Sequence, residues 1–270
     1  MVDCKVLLWP GEFWSVDLKS SIIRRKRLDA LNILPADLER LKRSLEGYTR
    51  EERRALFKIL RQEFPVHALE VRLGASAEVI LEAIDRSSDL TLRGVRGVIA
   101  EAAFKEHVVI PLLARGWREE AVTGDSAFDF HLVSGETSVT IQVKMQRQKK
   151  QRPMEAREAS RRLFPDASGM WVVETQRTRG GKDGDGLDTR PYRFEAFDIL
   201  AVAMHPSSGD WSTFRYTLGR WLIPSPADSS RIFKYQPVSP LPNEDWTDNL
   251  PEAIDWFRDE TQTKVIKRRL

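Results

Sequence analysis

The sequence predicts an α/β fold, a central sheet covered by helices, preceded by a mainly helical N-terminal region. Three observations predict it. The first 90 or so residues carry apolar positions at helical spacing, whereas strand-like alternation begins only after Trp117. Two alternating segments, 127–133 and 138–145, then meet across the polar turn Ser134-Gly135-Glu136. Further apolar and helix-compatible segments follow, so the order reads helix, strand, strand, strand, helix, strand.

The elements are justified in turn. LPADLERLKRSLEG places Leu38, Leu41 and Leu45 on one helical face and stops at Gly47. Thr49-Arg50-Glu51-Glu52 has the form of a capping box and opens a second helix. The pair reads either as a small helical bundle with a solvated charged face or as a helix-turn-helix, the latter encouraged by the RRKR run at 24–27. A third helix is expected over 77–85. The polar SSD and the glycines of LRGVRG mark a boundary that divides the chain into 1–92 and 93–270. VIAEAAFKEHVVIPLLARG is a long helical segment with Pro111 inside it, where it kinks or shortens. Beyond the strand pair, EAREASRRLF is helix-compatible and MWVVE is apolar and strand-like. GGKDGDG reads as a mobile loop. FEAFDILAVAM and FRYTLGRWLIPS complete the core, and a proline-containing C-terminal extension wraps the surface, with a short helix around Asp255-Trp256-Phe257.

Composition narrows the function classes. Hydrophobic residues make up 41% of 270 and charged residues 31%, enough to bury a core and too apolar for wholesale disorder. The net charge is only +3, but it is uneven. Residues 144–162 hold eight Lys or Arg against two Glu, while 244–260 hold seven acids and one Arg. A local basic patch of that density fits a polyanionic partner. One cysteine excludes an internal disulfide and argues against a cysteine zinc site. No secretory signal and no membrane-length apolar run is visible, so an intracellular, cytoplasmic protein without a membrane partner is expected.

The chemistry concentrates on the strand pair. In FDFHL, Phe128, Phe130 and Leu132 point one way and Asp129 and His131 the other; in VTIQVKM, Gln142 and Lys144 oppose Ile141 and Val143. Paired strands bring Asp129 and Lys144 within reach, either as a cross-strand salt bridge or as part of a site. Upstream, Glu101 shares a helical direction with Val108 and Leu112, inside the apolar stripe. A carboxylate there needs a partner, whether Lys105, an arginine, or the Asp129 neighbourhood. Carboxylates converging beside a lysine make an arrangement suited to Mg²⁺.

Asp129 followed by Gln142-Val143-Lys144 resembles the PD-(D/E)XK nuclease signature. The resemblance implies a restriction-endonuclease-like core with a mixed central sheet flanked by helices. It implies Asp129 as a metal ligand, Lys144 as the group that orients or activates water, and Glu101 as the helix glutamate. Two departures stand out: Phe128 replaces the proline, and Gln142 replaces the second acid. Some restriction enzymes of this family bring the missing acid from the following helix. Glu158, fourteen residues past Lys144, stands where it is expected, with Glu155 as its rival. On this reading the chain is a Mg²⁺-dependent type II restriction endonuclease on double-stranded DNA, a homodimer or higher oligomer. Arg147, Lys149, Lys150, Arg152 and Arg157 would contact DNA, with Arg147 and Arg152 the base-reading candidates. The alternatives are a DNA-binding regulator without catalysis and a structure-specific repair or recombination nuclease.

Overall fold

A computed structural model describes residues 6–7, 13–14, 35–63, 68–124, 126–164, 167, 169–177, 180–181 and 190–259. The chain divides into two compact units, 1–92 and 93–270. The RRKR run lies outside the described residues, as does the GGKDGDG loop apart from Gly180 and Gly181.

The first unit contains the two-stranded pair β1 (Val6–Leu7) and β2 (Phe13–Trp14). Among the described residues the helices α1 (Pro35–Glu46), α2 (Arg50–Glu63), α3 (Ala68–Leu73) and α4 (Ala77–Asp85) follow. The capping box forms in both directions: the Thr49 amide donates to the Glu52 carboxylate at 2.8 Å and the Glu52 amide to Thr49 Oγ1 at 3.2 Å. Glu70 Oε1 accepts the Ala77 amide at 2.8 Å, satisfying an otherwise orphaned donor at the start of α4.

α5 (Asp89–Phe104) leads into the second unit. The long helix expected there is not continuous. Pro111 has no N–H to give and crowds the carbonyl one turn back. The backbone widens ahead of it into a π-helical turn, Lys105–Val109, closed by the Ile110 amide on the Lys105 carbonyl. α6 (Ile110–Leu113) follows, and Gly116, at φ 93°, turns the chain away. The widened turn adds a residue to the pattern, so Val109 is fully buried with Phe104 and Leu112 while Val108 is only half-buried.

The sheet is mixed and five-stranded, in the order β10-β9-β5-β4-β3. β3 (Arg118–Glu120), β4 (Phe130–Ser134) and β5 (Thr137–Met145) form an antiparallel meander. β9 (Ile199–Ala203) lies parallel to β5 on its other side, and β10 (Phe214–Leu218) is antiparallel to β9. Every residue of β9 and β10 is buried, the composition expected of strands covered on both faces. Phe104 seats the helix on the sheet, its ring 5.0 Å from Phe130 and 5.3 Å from Phe214.

Three features differ from expectation. The segment EAREASRRLF yields only one helical turn, α7 (Ala156–Ala159). Ser160 is extended, and its hydroxyl accepts the Leu163 amide at 3.3 Å, starting a separate turn instead of prolonging the helix. MWVVE is a strand, β8 (Trp171–Glu174), but it pairs with β11 (Tyr235–Val238) outside the five-stranded sheet. The basic run after β5 forms a small hairpin, β6 (Gln148–Lys149) with β7 (Arg152–Pro153). The C-terminal region places α8 (Leu250–Arg258) against the core through Trp256, 5.2 Å from Trp221. Arg220 donates to the Trp256 carbonyl at 2.9 Å, capping the helix end.

Removing the ring that seats α5 should loosen that helix. Phe104→Ala is expected to cost about 4 kcal/mol in urea unfolding, the range for a fully buried aromatic.

Candidate active site

The β4–β5 register builds the site. Phe130 pairs with Ile141 and His131 with Thr140, and the ladder continues as the Asp129 amide donates to the Ile141 carbonyl at 2.9 Å. Asp129 therefore lies opposite Gln142 and diagonal to Lys144, on the face away from Ile141 and Val143. Its carboxylate is held from one side: Oδ2 accepts the Val143 amide at 2.8 Å and the Gln142 side-chain amide. Gln142 is almost fully buried, and its Oε1 accepts the Tyr192 hydroxyl at 3.3 Å. The amide that replaces the second acid is thus occupied in orienting Asp129.

Glu101, one helical turn before Phe104, carries the second carboxylate. Burial and the Asp129 charge push its carboxyl up to about 7, against a smaller opposing pull from Lys144. Asp129 is raised by burial and pulled back by Lys144 and by its two hydrogen bonds. Asp129 and Lys144 both act on Glu101, and Lys144 acts on Asp129, so the three form one electrostatic cluster. Lys105, the alternative partner for Glu101, pairs with Glu119 instead. Lys144 Nζ sits 5.5 Å from the centre of the buried Tyr192 ring, which also faces Arg177 at 5.8 Å. The ring holds the lysine without cancelling its charge.

Glu158, expected as the migrated acid, is engaged elsewhere. It is exposed and paired with Arg152, and the charges that lower its carboxyl are those of Arg152 and Lys149. Glu155 lies just ahead of α7, its backbone bridged to Trp171. Among the described residues no group of three or more His, Cys, Asp or Glu is arranged to hold a metal. The cluster accordingly offers two carboxylates, a donor set that suits Mg²⁺ when substrate oxygens and waters supply the rest.

The basic residues divide into two sets. Arg147 pairs with Glu174 and lies 5.9 Å from the Tyr235 ring; Arg152 pairs with Glu158. Lys149, Lys150 and Arg157 are exposed. Sequence reasoning missed Tyr192, Arg177 and Glu174. Tyr192 is 48 residues beyond Lys144, and only the packing of the later strands brings it back. Glu174 had one signal, a charge ending an apolar strand.

Stability should report the half-buried Glu101 carboxylate. Between pH 4.5 and about 7 the unfolded chain releases the Glu101 proton while the folded chain keeps it. Folding stability attributable to this group therefore falls as pH rises across that window. Metal-free Glu101→Gln should match the wild type near pH 4 and exceed it at pH 8 in calorimetry; the same difference at both pH values would contradict the burial of this group.

No family model matches the chain, and no curated protein matches it. Among solved structures, a bacterial homing endonuclease, I-Ssp6803I, aligns at 15% identity over 63% of this chain and 98% of that chain, with a TM-score of 0.37. A likeness of that size does not place this chain in a family.

Proposed function

We propose that the chain is a Mg²⁺-dependent endonuclease that hydrolyses phosphodiester bonds in both strands of duplex DNA, working as a type II restriction enzyme. The observation that carries this is the cluster of Asp129, Glu101 and Lys144 beside the basic segment 147–157. A purely DNA-binding role gives no reason to half-bury Glu101 beside another carboxylate at a cost to stability.

Asp129 and Glu101 would hold the ion, which supplies charge compensation at the scissile phosphate. Gln142 contributes by fixing Asp129: its amide and the Val143 N–H both bond to Oδ2, and Oδ1 has no hydrogen-bond partner among the described residues. Lys144 stands beside the two carboxylates and over the Tyr192 ring, and would donate to an attacking water or a phosphate oxygen. Glu158 would join the ion only by leaving Arg152. Lys149, Lys150 and Arg157 would neutralise backbone phosphates, while Arg147 and Arg152 stay paired with Glu174 and Glu158. Cutting both strands of a symmetric target calls for a homodimer or higher oligomer.

The test is a plasmid digest with Mg²⁺, Mn²⁺ or EDTA. Discrete fragments are expected only with metal; intact DNA under all ions removes the enzyme reading, and unpatterned cutting favours a structure-specific nuclease. Lys144→Ala should lower the rate by about 10²–10³-fold, the scale of one lost transition-state donor, with duplex binding retained. Glu101→Ala should abolish cleavage while Glu158→Ala keeps most of it. The reverse order would make Glu158 the second acid.

A further inference from the structure

The β6–β7 hairpin has an unusual tip. Lys149 pairs with Arg152, so the loop is the two-residue Lys150-Gln151. Both loop residues have positive φ, 51° and 61°, as a type I′ turn requires. Glycine or asparagine normally fills such positions, because a Cβ is strained there. Here two long side chains occupy them, both are exposed, and neither has a hydrogen-bond or ion-pair partner among the described residues. The strain gains nothing inside the molecule.

The base of the hairpin, in contrast, is braced. The Met154 amide bonds to the Arg147 carbonyl at 2.9 Å, and the Arg147 amide to Val172 of β8 at 2.8 Å. Met154 and Ala156 are buried. The Arg147–Glu174 and Arg152–Glu158 pairs tie the two strands to β8 and α7. Arg147 and Arg152, the base-reading candidates by sequence, thus serve as struts, and a rigid ribbon presents a cationic tip to solvent.

We propose that this hairpin is a DNA-reading probe whose tip enters the major groove, with Gln151 recognising an adenine and Lys150 an adjacent phosphate or guanine. A two-stranded ribbon fits that groove, and a carboxamide matches the donor-acceptor pair on the adenine edge. This rests on the duplex-DNA partner of the reading above, but not on catalysis.

The experiment is selection of bound duplexes from a randomised pool, in EDTA, by the full chain. The wild type is expected to enrich a motif containing an adenine, and Gln151→Ala to lose the preference at that one position by about tenfold while keeping the rest. Lys150→Asn/Gln151→Gly, which suits the turn, should raise Tm and lose that same preference. An unchanged motif in Gln151→Ala, or no enriched motif and no duplex binding by the wild type, overturns the proposal. A normal selection pattern without Mg²⁺-dependent cleavage removes the nuclease reading and leaves this one standing. Cleavage at an unaltered site by Gln151→Ala does the opposite.

Discussion

Strand register between β4 and β5 is the constraint on which the rest depends. Because side chains alternate, a slip of β5 by one residue would turn Gln142 and Lys144 toward the Ile141 face and send Ile141 and Val143 to the other. The slip is prevented by Phe130, Leu132, Val139 and Ile141, all buried, and by the backbone bond from Asp129 to Ile141. Packing that serves stability therefore also fixes, to within a side chain's reach, where the polar groups stand. The parallel β9, buried along its whole length, holds β5 from the other edge.

Onto that frame the sequence adds one costly feature. Glu101 is placed where burial and a neighbouring carboxylate both oppose its charge. Lys144 offsets part of the cost without removing it. The cation site proposed above would account for the arrangement, since the ion would supply the missing positive charge. The glutamine in place of an acid fits the same logic: a third carboxylate at position 142 would face Asp129 directly, whereas the amide donates to it.

Much of this was legible in the sequence, and the reasons differ by element. The strand pair, the capping box at Thr49 and the C-terminal helix rest on local patterns that tertiary packing had no cause to override. The sharing of a face by Asp129, Gln142 and Lys144 followed from alternation alone. Non-local choices were not legible. Nothing in MWVVE says that it pairs with β11 instead of extending the main sheet. Nothing in KKQR signals a type I′ turn, because the residues that usually announce one are absent. The helix after β5 ends at Ala159, where Ser160 turns extended and its hydroxyl accepts the Leu163 amide. That early end matters, since the spacing argument for Glu158 assumed a helix returning across the sheet.

The measurement that bears most directly on the central claim is anomalous scattering from crystals soaked in Mn²⁺. The account predicts one ion between Asp129 and Glu101, within coordination distance of Asp129 Oδ1, with Gln142 still bonded to Oδ2. An ion held by Glu158 or Glu155 without Glu101, or no ion at Asp129 at all, would contradict it.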